Sequence, residues 1–234
     1  MGFFDSYPRF LETSKTGTNL NRLNKRHDAI FASAPRLFAG ARILDIASHD
    51  GRWAFASLKA GASHVVGIEP REYLIASAKE NLELYNYDQR QFLFVQGDVF
   101  KWLESAREQF DVVLCLGFFY HTYRHAELMS LIKRCKPKAL ILDTLVHKTE
   151  GLLSLFSREA AADEANAVLE NSSFAGMTYV ASPSPALLRD YLDAYGFSFT
   201  EVDWRSLINT DNNVNGVEDY ADGRRTTLIC RSTE

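Results

Sequence analysis

Three acidic residues, Asp45, Glu69 and Asp98, stand at or just beyond the ends of apolar runs at residues 41–46, 64–69 and 91–95. A carboxylate so placed accepts hydrogen bonds from the polar groups of a ligand lying over the ends of those runs. The 24 positions separating Asp45 from Glu69 are close to the interval, about 20 residues, at which an acid reaches the ribose of a bound nucleotide. Gly97-Asp98 alone is ordinary turn chemistry, but three acids at neighbouring run ends form a far more specific set. After the first acid, Asp45-Ile-Ala-Ser-His-Asp-Gly51 sets Ala47, His49 and Gly51 at two-residue intervals. Small residues there let the main chain pass close to a ligand, and the amides of a following helix can meet an anionic group. The His49 ring would narrow that space or touch the ligand itself. Further on, Gly117-Phe-Phe-Tyr-His-Thr-Tyr123 offers His121, whose imidazole suits a general base for an alcohol or phenol nucleophile.

The elements that must position these residues alternate. Residues 41–46, 64–69, 91–95, 110–116 and 139–143 are short and nearly continuous in apolar character, as strands covered on both faces are. Helical patterns fall between them, at 53–60, 71–85, 100–107 and 125–135, which is βαβ organisation around a parallel sheet. The end of the chain differs: 185–195 reads as a helix stopped by Gly196, and 197–204 as a strand. A polar loop rich in Asn and Asp follows, and then a strand at 224–231. Two strands joined without a helix predict an antiparallel hairpin. Residues 1–40 are expected to form a helical lid. Residues 150–184, with an Ala/Glu-rich helical stretch, are expected to form a substrate-side insert. Both would lie over the carboxyl ends of the strands, where open α/β sheets bind ligands. The expected organisation is one domain: lid 1–40, ligand-binding core 41–145, insert 150–184, and C-terminal helix and hairpin 185–234.

Residues 41–145 resemble class I S-adenosylmethionine-dependent methyltransferases. The first motif of that family spaces glycines as D-x-G-x-G-x-G after the first strand; here the positions are Asp45, Ala47, His49 and Gly51, and only the last glycine remains. The resemblance implies a Rossmann-like α/β fold with a seven-stranded, mostly parallel sheet, a C-terminal antiparallel hairpin and helices on both faces. It implies S-adenosyl-L-methionine as cofactor and S-adenosyl-L-homocysteine as product. The cofactor would be held by Asp45, Ala47, His49, Gly51, Glu69, Asp98, Val99 and Gly117, with Asp98 accepting from the adenine amino group and the next backbone amide reading a ring nitrogen. Tyr120 and His121 would lie beside the transferring methyl group, and Tyr7, Trp53, Phe119, Tyr123, Tyr179 and Arg225 would line an acceptor pocket. Leu116-Gly-Phe-Phe-Tyr-His121, residues 140–146, 177–184 and Tyr220-Ala-Asp-Gly-Arg-Arg225 also resemble segments of tRNA wobble-uridine carboxymethyltransferases. In that family a tyrosine and a late arginine, matched here by Tyr120 and Arg225, hold the extra carboxylate of carboxy-S-adenosylmethionine. The family's long N-terminal extension, with a lysine that contacts the same carboxylate, has no counterpart before the first strand.

Several function classes are disfavoured. A nicotinamide cofactor needs G-x-G-x-x-G, which Ala47-Ser-His-Asp-Gly-Arg52 does not supply, and Asp50 would repel a pyrophosphate. The aromatic segment at 117–123 lacks the clustered oxygen ligands of a hard cation, so no catalytic metal is expected. Cys115, Cys135 and Cys230 form no CxxC pair, and Cys115 and Cys230 lie in apolar runs as core thiols do. The chain has no apolar run of membrane-spanning length, and a cytoplasmic location is expected. Met1-Gly2-Phe3-Phe4-Asp5-Ser6 fits the permissive acylation template, although two bulky aromatics follow the glycine. A formal net charge of -4 gives no global attraction to phosphate backbones. A tRNA partner would therefore need Arg22, Lys25, Arg26, Arg71, Lys133 and Arg134 to gather on one face. The expected partner is a small, partly aromatic or apolar methyl acceptor, methylated on O or N, with a homodimer possible. A non-catalytic binding protein is the remaining reading, prompted by the two absent glycines.

Overall fold

The computed structural model describes residues 1–16, 19–164, 166 and 173–233. The apolar runs form strands β1 (Arg42–Ile46), β2 (His64–Glu69), β3 (Phe92–Gln96), β4 (Val112–Leu116) and β5 (Ala139–Leu145), and two strands of the insert and two of the C-terminal region are added below. Helices α1 (Arg9–Glu12) and α2 (Leu20–His27) precede the sheet, and α3 (Arg52–Lys59), α4 (Glu72–Leu84), α5 (Val99–Ser105) and α6 (His125–Arg134) connect its parallel strands. The insert supplies β6 (Ser154–Ala160) and β7 (Met177–Pro183). The C-terminal region supplies α7 (Pro185–Ala194), β8 (Phe197–Glu201), α8 (Trp204–Asn209), α9 (Glu218–Ala221) and β9 (Arg225–Ser232).

The main sheet has seven strands in the order β3-β2-β1-β4-β5-β9-β8. Strands β1 to β5 pair in parallel, and β9 runs antiparallel between β5 and β8. The order reverses between β1 and β4, which opens a crevice at their carboxyl ends. Side chains alternate across the sheet, so neighbouring residues enter different cores. Leu44, Val66, Val113 and Leu140 pack with α5, α6 and α7. Ile43, Val65, Val112 and Ile141 pack with α3, α4 and the N-terminal segment. Burial on both faces explains the continuous apolar runs. All three cysteines are buried in the reduced form.

Among the described residues of 1–40, α1, α2 and short helical turns are present, as expected, but much of the segment is core. Phe4 and Phe10 are 0% exposed and pack edge-on or tilted against Trp53 and Phe55 of α3. Two readings of the sequence are corrected. The β8–β9 connection is not a bare polar loop: it holds α8 and α9, and Trp204 begins α8 instead of ending a strand. Burial of Trp204 against Tyr220 and its indole N–H bond to Thr227 fix that turn of helix on the sheet edge. The insert adds an antiparallel β6–β7 pair that the sequence reading lacked, with Arg158 opposite Tyr179 and Glu159 opposite Thr178. Part of the Ala/Glu-rich stretch, residues 165 and 167–172, lies outside the described residues. Among the described residues no helix is long and apolar enough to cross a membrane.

Candidate active site

The loop after β1 keeps the backbone of a glycine-rich turn without its glycines. Ala47, His49 and Gly51 all adopt positive φ, at 55°, 53° and 77°. Positive φ costs a non-glycine residue roughly 1–2 kcal/mol, so Ala47 and His49 are held there by their surroundings. The His49 N–H donates to Glu69 Oε2 at 3.1 Å, and its ring Nδ1 lies 3.0 Å from Arg52. Burial holds the His49 imidazole below its ordinary range, with Asp50 pulling the other way. Gly51 is a packing position: a Cβ there would meet Ala78 at 3.0 Å and Phe94 at 3.1 Å. Asp45 also stands apart from the expected ligand set. It lies on β1, is 1% exposed and accepts from the N–H of Ala54 in the first turn of α3. Burial, with help from Glu69 and Asp50, pushes its carboxyl up to about 8. Its Oδ2 has no hydrogen-bond partner. Asp45 supports the turn from beneath, because the strand register points its side chain under α3 instead of over the sheet's rim.

The other two acids meet. Glu69, Asp98 and Val99 line one cavity of about 170 Å³, together with Ala47, Phe118 and Tyr179. Glu69 is fully buried; it accepts from His49 and from both the backbone N–H and Nε of Arg71, the latter at 2.6 Å. Asp98 caps α5, its Oδ1 accepting from the Lys101 N–H at 3.0 Å. Val99 is the first residue of that helix, so its N–H has no intrahelical partner. Tyr123 and Tyr179 sit at the mouth, 54% and 59% exposed.

A second cavity of about 340 Å³ adjoins the first, and Ala47, Arg71 and His121 line both. His49, Trp53, Gly117, Tyr120 and Arg225 also line it. The His121 Nδ1 lies 2.6 Å from Oε2 of Glu159 on β6, and the Tyr120 ring sits 4.1 Å from the His121 ring. With Glu159 accepting, Nδ1 carries the proton and Nε2 is the basic nitrogen. Arg225 is not a solvated strand residue: it is 6% exposed and donates through Nε at 2.8 Å and through a terminal nitrogen at 2.6 Å to Asp143 Oδ1. Arg26 reaches the same oxygen at 3.1 Å from α2, while Tyr220 and Thr227 donate to Oδ2. Burial opposes the charge on Asp143, but Arg225 and Arg26 outweigh it and hold the carboxyl well below the usual carboxylate range.

Two expected pocket residues are elsewhere. Phe119 is 0% exposed and stacks on His125 at 4.3 Å, because the short turn after β4 rotates it into the core. Tyr7 packs against Phe55 at 4.6 Å and Tyr85 at 5.0 Å, on the outer side of α3. The six basic residues do not share a face. Arg22, Arg26 and Arg71 line the larger cavity, and Lys25 is buried against Asp211. Lys133 reaches Ser232 and Arg134 the Glu104 carbonyl, at the opposite, amino-terminal rim of the sheet. Glu159 and Asp143 join the site unforeseen by the sequence, as does Arg71, which was expected only on a tRNA face; Glu159 lies 38 residues from its partner, with no local pattern to link them. Among the described residues no group of three or more His, Cys, Asp or Glu could hold a metal ion.

The family described as a methyltransferase domain matches residues 43–137. Ribosomal RNA large subunit methyltransferase I of Serratia proteamaculans (strain 568) is 31% identical over 103 residues, covering 43% of this chain and 25% of that protein. The chain thus spans about a quarter or less of the length of the curated relatives it matches. The N-terminal domain of EvdMO1, crystallised in the presence of SAH and D-fucose, superposes with a TM-score of 0.61 at 17% identity, covering 92% of this chain and 85% of that one. The glycopeptide N-methyltransferase MtfA superposes with a TM-score of 0.55 at 12% identity, covering 89% and 90% of the two chains.

Proposed function

We propose that the protein is an S-adenosylmethionine-dependent methyltransferase, since residues 43–137 match a methyltransferase-domain family and the chain shares its fold with the N-terminal domain of EvdMO1. It acts on an O or N atom of a small, partly aromatic or apolar acceptor. The observation that carries this reading is the meeting of Glu69, Asp98 and Val99 in one cavity that opens beside Tyr120 and His121. The residues fit the cofactor. Glu69 has lone pairs left for ribose hydroxyls after its three N–H bonds, Asp98 and the Val99 N–H suit an adenine edge, and the positive-φ turn at Ala47 and His49 leaves room for the amino-acid end. S-adenosylmethionine supplies an electrophilic methyl carbon. The protein's part is to orient the acceptor and remove its proton. His121 takes that proton at Nε2, and Glu159 fixes the tautomer and stabilises the imidazolium that results. Trp53 and the Tyr120 ring supply apolar walls for the acceptor.

The test is calorimetric titration with S-adenosylhomocysteine. Wild-type protein binds it, and Glu69→Ala loses at least tenfold in affinity, the scale expected when a carboxylate holding two hydroxyls is removed. A wild-type protein that binds no S-adenosylhomocysteine overturns the reading. One observation favours a second reading, carboxymethyl transfer to tRNA: the Arg225 guanidinium lies 5.3 Å from the Tyr120 ring centroid, so the two residues singled out by that resemblance are together. The scattered basic residues count against a tRNA partner, which would show steeply salt-dependent binding.

A further inference from the structure

The insert hairpin turns one face and one edge to solvent. Glu159 reaches inward to His121, so by strand alternation Phe156 and Arg158 of β6 face outward, with Tyr179 across from Arg158 on β7. An antiparallel pair ordinarily presents polar residues on its solvated face, yet Phe156 and Tyr179 are 56% and 59% exposed. Leu152, Leu153 and Phe174, which flank the strands, each leave more than half of their surface uncovered. Together these side chains expose roughly 600 Å², the upper end of the largest apolar patch on an ordinary monomer. A standard protein interface takes about 800 Å² from each partner, so the patch supplies most of one.

The edge is open as well. The Ala161 N–H donates to the Gly176 carbonyl and the Ser184 N–H to the Leu153 carbonyl. Hydrogen-bonded pairs alternate along an antiparallel ladder, so Leu155, Ser157 and Glu159 bond to β7. Ser154, Phe156 and Arg158 turn their N–H and C=O groups to the other side. The hairpin is a two-stranded sheet, and among the described residues nothing pairs with those groups. A lone two-stranded hairpin is marginal in water, whereas a larger sheet with an apolar face is not.

We propose that β6 pairs antiparallel with β6 of a second copy of this chain, forming a four-stranded sheet across a twofold axis. In antiparallel pairing, opposed residues exchange N–H and C=O bonds reciprocally, so an open edge of this kind complements itself. The register follows from the groups that are available. The Ala160 carbonyl is taken by the Asn166 amide at 3.2 Å and the Asp163 N–H at 3.3 Å. A register centred on Arg158 would oppose like charges. The register that pairs the three open residues with one another centres on Phe156. Phe156 then opposes the partner's Phe156 and Ser154 opposes the partner's Arg158, with an aromatic pair on the axis. Fixing the outer edge of β6 also steadies the strand that carries Glu159 to His121. The interface itself does not depend on the methyltransferase reading.

Sedimentation velocity over about 1–50 µM tests the pairing, since interfaces of this size bind at micromolar affinity or tighter. Wild type sediments as a dimer. Phe156→Pro is monomeric with an unchanged circular dichroism spectrum, because proline removes an N–H that faces the partner and not β7. Phe156→Lys, which keeps the main chain intact and sets two like charges on the axis, is monomeric too. Under mild oxidation Phe156→Cys gives a disulfide-linked dimer on a non-reducing gel, because hydrogen-bonded Cα atoms lie about 5.5 Å apart. Arg158→Cys, four positions from its own copy in this register, gives none, and the native cysteines are buried. Wild type that stays monomeric throughout overturns the proposal, and its capture by phosphatidylcholine vesicles would assign the patch to a lipid surface instead. A dimer that survives both Phe156→Pro and Phe156→Lys, or cross-links through Arg158→Cys and not through Phe156→Cys, overturns it as well.

Discussion

His49 shows how a residue that breaks a motif can preserve its geometry. Replacing two of three glycines suggests a changed loop, but the chain holds Ala47, His49 and Gly51 at positive φ alike. The backbone is therefore dictated by the register of Glu69 and α3 around it, and histidine tolerates the left-handed region better than most residues. The sequence revealed the spacing of these positions but not the strain they accept. Ala47→Gly should leave stability unchanged or raise it by up to about 1 kcal/mol, whereas Gly51→Ala should cost about 2 kcal/mol or more through strain and its contacts with Ala78 and Phe94; urea unfolding measures both. Asp45 makes a second case. Its carboxyl stands at about 8 in the fold against about 3.9 in an unfolded chain. Between those values the native state holds a proton that the unfolded state has released, so this group's contribution to stability falls as pH rises from about 4 to about 8. The slope approaches about 1.4 kcal/mol per pH unit mid-window. Asp45→Asn should flatten that slope and raise the urea midpoint at pH 8; an unchanged pH profile would refute it.

At the level of elements, the alternation of β1 to β5 with α3 to α6 was legible because β1, β2, β4 and β5 are buried on both faces and α4 and α6 each show a wet one. The β6–β7 hairpin was not. Its stability comes from pairing residues about 20 positions apart in sequence, which no local window records. This hairpin matters to the chemistry because it carries Glu159 to His121, so an element outside the sheet completes the proposed base. If Glu159 positions His121, Glu159→Ala should lower kcat at least tenfold with little change in the KM for S-adenosylmethionine, and Glu159→Gln, which keeps an acceptor oxygen, should retain more activity. Equal loss in both variants, or a change confined to KM, would show that the hairpin serves binding alone. The same element is tied down by Arg71, which bonds Glu69 at one end and the Glu164 carbonyl, at 2.7 Å, at the other.

For the molecule as a whole, the sequence anticipated a helical lid in the N-terminal segment, and in the structure much of that segment also packs into the core. Phe4 and Phe10 share one cluster with α3, α4 and the buried face of the sheet, and the Thr13 hydroxyl donates to Asp50 at 2.7 Å. Phe10→Ala should therefore destabilise the whole domain by about 3–5 kcal/mol, seen as a single lowered transition by calorimetry; a separate early transition would instead mark the segment as an independent flap. Asp143 makes the same integration visible from the other side. Its partners come from position 26 and from positions 220–227, with the acid itself in mid-chain. During synthesis on the ribosome, that carboxylate must wait for β9 to emerge before most of its donors exist. The parallel strands can pair earlier, so the nascent protein gains that part of its sheet first and the donors around Asp143 last.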